Sequence, residues 1–524
     1  MAEPKSSGAQ TPSELTKEDA FLDTVNAVPE GGLSTIEEQQ RQRTLFSYSE
    51  GQKILRKVDL RLMPFLLLTY ILRGMDGGAI SYVKTMNKGS PTNILNQLHM
   101  SSNQYSYAST TFTLFYALGE LPSNLLFKRT TPRWHYMRIV ALWSIAAICH
   151  AAAFNAAGLL TARAFLGLFE AGMAPGAYLH LTYYYRPDEI GPRIAAISAM
   201  FNFCNIFVAL ETYGLSYIDG HGKLGGWQWT YIINGLLGLV LLAILYFWMP
   251  DFPEDCKWLT PQEQQWIVGR LPAGSSRSND KNFDFKELKD AFKDPINLTF
   301  ATMIVIYNTG NLGMTFWLPT IISNLGFSST ASAQLLNIPP AALYWIGGIG
   351  GNMLADRLTM IPRPLYLLTT LSIYTAGMFC LAYVRSIGAL YAIICVMQVF
   401  ASASYQSFIP WRCQSLKGTT DAAFAMAWLT GAGQVAGLWS AQIFRSQYGP
   451  RYSIPFIVCA ALTIGAMGMV VVNWFMTYTS EKETRRIMAL RRKVGKERDE
   501  VLQDDVDLGA EVAQRNNRPA GVSA

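Results

Sequence analysis

Between Leu60 and Tyr478 the chain is a succession of apolar runs separated by short polar turns. A helix needs roughly 20 apolar residues to cross the hydrocarbon core of a bilayer, so each run predicts one crossing. The runs fall at 60–83, 105–127, 136–155, 159–185, 194–217 and 227–249, and then at 297–324, 331–354, 365–383, 389–411, 422–444 and 453–478. The pattern predicts an all-α membrane protein of twelve transmembrane helices in two six-helix bundles. The expected organisation is a disordered N-tail at 1–58, a bundle at 59–250, a linker at 251–296, a second bundle at 297–478 and a C-tail at 479–524. Two groups of crossings joined by a long linker suit a carrier built from parallel repeats. A faint internal echo supports this, with Leu125-Leu126-Phe127-Lys128-Arg129 after the second run answered by Leu354-Ala355-Asp356-Arg357 after the eighth.

An even number of crossings puts both chain ends on one side. Lys53, Arg56, Lys57 and Arg61 precede the first run, and Lys128, Arg129, Arg133, Arg357, Arg363, Arg412, Lys417, Arg485 and Arg486 recur in loops of the same parity. The opposite loops carry fewer cations, chiefly Lys84, Lys88, Lys223, Arg385, Arg445 and Arg451. Cations gather on the cytosolic side of membrane proteins, so both tails are expected in the cytosol of a plasma-membrane protein.

Composition narrows the function. Of 524 residues, 50% are hydrophobic and 15% charged, and the net charge of +6 comes from membrane edges rather than from one soluble patch, which argues against a nucleic-acid partner. The seven cysteines show no paired spacing, so neither a disulfide framework nor a metal site is expected. The first fifty residues hold no apolar stretch, and the first crossing is expected to serve as the insertion signal. No GxxxxGK[ST], Gly-x-Ser-x-Gly or His-Glu-x-x-His signature occurs, so no enzyme activity and no cofactor are expected. Gly347-Gly348-Ile349-Gly350-Gly351 lies inside an apolar run, where small residues serve close helix packing rather than phosphate binding.

The candidate chemistry is a set of charges inside the crossings. An ionised side chain at the bilayer centre costs at least about 2.5–3.5 kcal/mol, so Arg73, Asp76, Arg163 and Glu170 must face the bundle interior, water or one another. Arg73 stands three residues before Asp76, either to attract an anion or to neutralise that carboxylate. Arg163 and Glu170, seven apart, share one stripe of the fourth crossing, either lining a cavity or clamping the helix. Glu170 and Asp76 are the expected proton-coupling groups. His180, beside Tyr183, Tyr184 and Tyr185, is either a proton relay or an ordinary interfacial histidine, and Glu211 is a further carboxylate candidate. In the second half the charges give way to Tyr307, Asn308 and Asn311 in the seventh crossing and Gln398, Tyr405 and Gln406 in the tenth. These uncharged donors either orient a substrate or join helices by hydrogen bonds.

Glu120-Leu121-Pro122-Ser123-Asn124, Arg163-Ala164-Phe165-Leu166-Gly167-Leu168-Phe169-Glu170-Ala171-Gly172, Pro250-Asp251-Phe252-Pro253-Glu254 and Leu259-Thr260-Pro261-Gln262-Glu263 resemble the anion:cation symporters of the major facilitator superfamily. Trp317-Leu318-Pro319, Pro339-Pro340 and Pro450-Arg451-Tyr452 extend the likeness, which runs from about Asp59 to Tyr478 and is nearest the fungal allantoate-permease-like group. The resemblance implies a major facilitator fold and uptake of a small carboxylate such as allantoate, nicotinate, biotin or pantothenate with protons. It also implies that Asp76, Arg163 and Glu170 form the charged centre. The chain departs from the group's pattern at Gly77, where an arginine follows the aspartate, and at Gln228, Asn234 and Thr420-Asp421.

Together these observations predict a monomeric secondary transporter. It would carry a small organic anion with protons by alternating access, its partners being substrate, protons and lipid. Two rival readings are a proton-antiporting exporter on the same fold and a nutrient sensor that binds without transporting.

Overall fold

The computed structural model describes residues 46, 48–127, 130–185, 187–269, 271, 294–326, 331–357, 361–414 and 428–495. Helices account for nearly all of them, and among the described residues there is no strand. The crossings are α1 (Tyr48–Val83), α2 (Ser102–Phe127), α3 (Pro132–His150), α4 (Ala156–Thr182), α5 (Pro187–Ser216) and α6 (Gly226–Trp248), followed by α7 (Pro295–Asn324), α8 (Ile338–Arg357), α9 (Arg363–Tyr383), α10 (Ile387–Gln414), α11 (428–440) and α12 (Ser453–Gly495). Successive helices alternate in direction. Both ends of the bundle sequence therefore emerge on one side, here the tail face, and the opposite side is the far face.

Six of the described helices, α4, α5, α6, α9, α10 and α12, are long and apolar enough to cross a membrane by length and composition alone. The others carry polar residues that the bundle buries: Arg73 and Asp76 in α1, Ser106 and Thr113 in α2, His135 and Ser144 in α3, and Asn308 and Asn311 in α7. Polar groups inside a bilayer face protein rather than lipid, so these residues mark sides of the helices that are turned to the interior.

Within the first half α1 packs on α5, α2 on α4 and α3 on α6; within the second, α8 packs on α10 and α12 on both α7 and α9. Lipid tails are as apolar as leucine, so close backbone approach has to drive this packing. Gly167 of α4 shows it: a Cβ there would stand 2.3 Å from the Phe112 carbonyl oxygen of α2. The glycine run in α8 behaves alike, since a Cβ at Gly347 would come within 2.4 Å of the Val399 carbonyl of α10. Close packing is therefore what this run does in the fold.

The halves meet through α5 with α8, α2 with α11 and α1 with α7. The joining contacts gather from mid-depth to the far face. Phe203 of α5 lies 5.0 Å from the Trp345 ring of α8, Thr110 of α2 donates to the Leu438 carbonyl at 3.0 Å, and the Ser446 amide donates to Asn103 at 2.9 Å.

Two helices extend past the predicted crossings. α1 begins at Tyr48, well before 60, because Ile54, Leu55, Val58 and Leu62 repeat at helical spacing and bury against Trp266 and Ile267 of the linker. α12 continues to Gly495. The motif Leu259 to Glu263 resolves into a capping box that starts a short linker helix, Pro261–Gly269. Thr260 Oγ1 accepts from the Glu263 amide at 3.2 Å, and Glu263 accepts from the Thr260 amide at 2.8 Å. Lys57 donates to both Glu263 oxygens, at 2.8 and 3.1 Å, pinning the linker beneath α1. Most of the second part of the linker, both expected tails beyond the described ends of α1 and α12, and Thr420-Asp421 lie outside the described residues.

Two predictions follow from this packing. Gly167→Val should destabilise the fold by about 1–3 kcal/mol, the usual cost of overpacking a tight contact, read as a lower thermal midpoint in detergent. Burial alone would lift the Glu263 carboxyl, but Lys57 and the Thr260 amide outweigh it and hold the group below the ordinary 4.5. Its docking contribution is present above 4.5 and is lost as pH falls through the lower folded value. Protection of the 261–269 amides, measured against their unstructured exchange rates, should therefore fall on acidification, and Glu263→Gln should remove that pH dependence.

Candidate functional site

The fourth crossing is broken at mid-depth, and the break positions the site. The first segment of α4 ends at Glu170; Ala171 then turns extended at ψ 140°, and Gly172 takes φ 87° before the helix resumes at Met173. Positive φ is cheap only for glycine, which explains the residue there. A broken helix frees backbone groups that lipid cannot satisfy. The Gly172 carbonyl accepts from the Gly176 amide at 2.9 Å and also meets the His135 ring of α3, 3.3 Å away.

Glu170 thus projects from a helix end into the middle of the first bundle, where it meets Arg73 of α1. Arg73 Nε donates to Glu170 Oε1 at 2.5 Å, and both side chains are buried, 8% and 2% exposed. The guanidinium is walled by aromatic faces: Phe201, Tyr116 and Tyr70 have ring centroids 5.2, 5.5 and 5.6 Å from it. Such contacts offset part of the lost hydration of a buried cation. Glu170 Oε2 has no hydrogen-bond partner.

The two pairings weighed from spacing do not form. Arg73 does not neutralise Asp76; the Trp143 indole of α3 donates to Asp76 Oδ2, and Asp76 Oδ1 has no partner. Arg163 does not clamp Glu170; its Nη2 donates to the Tyr231 hydroxyl of α6 at 2.7 Å, and the Tyr231 ring stacks on His150 at 4.7 Å. Residues three or seven apart on one helix point the same way, but here neighbouring helices supply nearer partners. Nor does any of the four charges line an open gap in this conformation, since each is at most 8% exposed.

Gly77 is the opening beside them. It lies one turn beyond Arg73 on the same side of α1, is exposed, and a Cβ there would meet nothing within 4 Å. Its neighbours Gly74 and Gly78 are different, because a Cβ at those positions would lie 2.3 Å from the Cys204 sulfur and 3.1 Å from Asn205 Oδ1 of α5.

In the second half the amide and aromatic residues predicted to contact substrate are divided. Tyr307 donates to the Ala401 carbonyl of α10 at 2.8 Å, and Asn308 Nδ2 to the Gly433 carbonyl of α11 at 3.3 Å, so both join helices. Tyr405 lies beside Asn308, and Asn311 beside Tyr344 of α8. Gln398 is buried, whereas Tyr405 and Gln406 are half-buried. His180 is buried between the Tyr136 and Tyr184 rings, each 5.6 Å away. Both oxygens of Glu211 in α5 are buried without a hydrogen-bond partner. Trp143, Tyr231, Tyr116 and Phe201 escape a reading of the sequence, because nothing in an apolar run distinguishes an aromatic that touches a charge from one that touches lipid.

Two helical bundles, the first with four charges buried at its centre, are the architecture of a multi-pass membrane protein. The description of the Major Facilitator Superfamily matches residues 66–441, and the chain belongs to that superfamily. It is 27% identical over 477 residues to the major facilitator-type transporter hxnP of Emericella nidulans, an alignment covering 88% of this chain and 92% of that one. It is 26% identical over 499 residues to the MFS-type transporter cnsO of Penicillium expansum, covering 92% and 94%. Among solved structures the fold is similar to a bacterial homologue of the human lysosomal transporter Spinster in an inward-facing, unoccupied conformation, with TM-score 0.60, 16% identity and coverage of 82% and 96%. It is also similar to a D-xylose-proton symporter, with TM-score 0.59, 15% identity and coverage of 78% and 96%.

A buried ion pair behaves asymmetrically under mutation. Arg73→Met should cost roughly 3–5 kcal/mol by leaving Glu170 unpaired, and the double variant Arg73→Met with Glu170→Gln should recover much of that loss. A double-mutant cycle on thermal unfolding in detergent measures the coupling.

Proposed function

We propose that the chain is a proton-coupled carrier of a small organic anion, an anion:cation symporter of the allantoate-permease-like kind. The observation that supports this reading is the Arg73–Glu170 pair, 2.5 Å apart at the centre of the first bundle. While Glu170 is charged it occupies the guanidinium. A proton on Glu170 dissolves the pair and leaves Arg73 free to take a substrate carboxylate in a bidentate contact. Proton and anion then favour each other's binding, which is the thermodynamic requirement of symport. The vacancy over Gly77, one turn from Arg73, gives the body of the substrate room.

The remaining residues have roles in this scheme. Asp76, held on one oxygen by Trp143, is the second proton-exchanging carboxylate. Arg163, held by Tyr231, supplies positive charge to the same centre. Asn311, Gln398, Tyr405 and Gln406 face the substrate from the second half, with Tyr307 and Asn308 fixing the helices that carry them. The 59–250 and 297–478 bundles rock about this centre, exposing it to one side at a time. Both tails are cytosolic, the membrane is the plasma membrane, the protein acts as a monomer and the direction is import.

Uptake of nicotinate, biotin, pantothenate and allantoate by cells or proteoliposomes under an imposed proton gradient tests the substrate class and the direction of flux. Glu170→Gln should abolish gradient-driven accumulation while sparing exchange of labelled for unlabelled substrate. Accumulation at the parent level in that variant removes Glu170 from the coupling.

A further inference from the structure

We propose that Lys84 and the aromatic cage of Trp317, Phe316 and Tyr105 form the latch that holds the far face closed. The position follows directly from the helix geometry. Lys84 comes immediately after α1, and at 100° per residue it lies on the side of that helix that also carries Arg73 and Gly77. Deeper in the bundle that side meets α2, α4 and α5 around Arg73, and at the level of Lys84 it meets α7 of the other half. The Lys84 ammonium sits 3.3 Å from the Trp317 ring centroid, 5.7 Å from Phe316 and 6.0 Å from Tyr105. Phe316 and Trp317 belong to α7, so a cation of the first half is lodged in rings that come mainly from the second.

Three observations make this a latch rather than ordinary packing. The ammonium is buried, with 4% of Lys84 exposed, and Nζ has no hydrogen-bond partner. A lysine lodged for stability alone would be expected to find an acceptor. The cage is built in place: Trp317 Nε1 donates to the Ala441 carbonyl at 2.9 Å and the Tyr105 hydroxyl to the Ile80 carbonyl at 2.8 Å, so each ring is fixed by its own half. Around it lie the contacts that staple the end of α1 to the second half. Lys88 donates to Asn324 at 2.6 Å, and Gln334 Nε2 donates to Thr85 Oγ1 at 3.0 Å and to the Tyr82 carbonyl at 3.3 Å.

The chemistry suits a contact that has to open repeatedly. Separation of the halves takes the ammonium out of the rings, but it returns the group to water, where an ammonium is strongly hydrated. Loss of cation–π attraction is thereby partly offset by recovered hydration, and the remainder is what holds the face closed. A buried ion pair at this position would exact a larger penalty on opening. Lys84 is a positioning residue for transport: it sets the balance between states and touches no substrate.

The latch rests on the two halves moving against each other, and not on the proposed proton or anion, so it can be tested without substrate. Full-length protein with Asn103→Cys and Ser446→Cys, and with the exposed native thiols Cys149 and Cys380 replaced by serine, reports far-face closure by the initial rate of disulfide formation. Lys84→Met and Trp317→Leu should each slow cross-linking roughly fivefold to tenfold, the scale of one desolvated cation–π contact. Lys84→Arg and Trp317→Phe, which keep a cation and a ring, should cross-link near the parent rate. The double variant Lys84→Met with Trp317→Leu should be no slower than either single one, and thermal midpoints should stay near the parent. Parent-rate cross-linking in Lys84→Met overturns the latch. So does equal slowing in Lys84→Arg and Lys84→Met, or slowing that tracks a fallen thermal midpoint across the whole set. Parent-level accumulation in Glu170→Gln with the latch pattern intact would overturn the coupling scheme and leave the gate standing.

Discussion

Arg73 and Glu170 stand 97 residues apart in sequence and 2.5 Å apart in space, and both have left water to meet. Removing a carboxylate and a guanidinium from water costs several kcal/mol per ion, and their attraction compensates only where the geometry is fixed by the surroundings. Much of the first bundle supplies that fixity. The break after Glu170 turns the carboxyl out of the helix end, and Gly172 makes the break affordable in backbone terms by adopting φ 87°. Gly167 lets α2 approach closely enough for Tyr116 to reach the guanidinium, and Phe201 and Tyr70 close the remaining sides. The pair is thus a consequence of helix packing, and in turn constrains which packings the bundle can adopt.

The bare cations in this molecule are handled by one strategy. Arg73 and Lys84 both sit among aromatic faces, but only Arg73 also has a carboxylate. A cation held by rings and an acid is stable until the acid is neutralised; a cation held by rings alone is released by separating the surfaces. As proposed, the first arrangement answers to protons and the second to movement of the halves. Both lie along one side of α1, with the vacancy over Gly77 between them, so a single helix carries the two kinds of sensitivity.

The crossings were legible in the sequence because a bilayer imposes a length and a polarity on every helix, and the expected ends mostly fall within a few residues of the observed ones. The charged centre was legible as a set of residues, since Arg73, Asp76, Arg163 and Glu170 are too costly to sit in lipid without a reason. Their partners were not. Spacing along one helix suggested Arg73 with Asp76 and Arg163 with Glu170, whereas the structure pairs Arg73 with Glu170 and gives Asp76 and Arg163 to Trp143 and Tyr231. Contacts between helices depend on rotation and tilt, which the apolar pattern of a buried span hardly encodes. Lys84 illustrates the same blindness at the membrane edge, where a lysine reads as a topology signal and proves to be buried between halves. The motif Leu259 to Glu263, by contrast, encodes a local event, a capping box, and for that reason its structure follows from its residues.

The two bundles divide the work along chemical lines. The first holds the four central charges, and its helices break and approach one another around them. The second offers amides and phenols, with Tyr307 and Asn308 already spent on joining α7 to α10 and α11. Glycine contacts are equally close in both bundles, 2.3 Å at a would-be Cβ of Gly167 and 2.4 Å at that of Gly347, which leaves little freedom inside either. Movement is then most easily accommodated between the bundles, across contacts such as Phe203 with Trp345 and Lys84 with Trp317, rather than within either. In the proposed scheme, a half whose interactions change with protonation converts a local electrostatic event at Glu170 into relative motion of the two halves. Among the described residues the joining contacts lie from mid-depth to the far face, so resistance to that motion is found there.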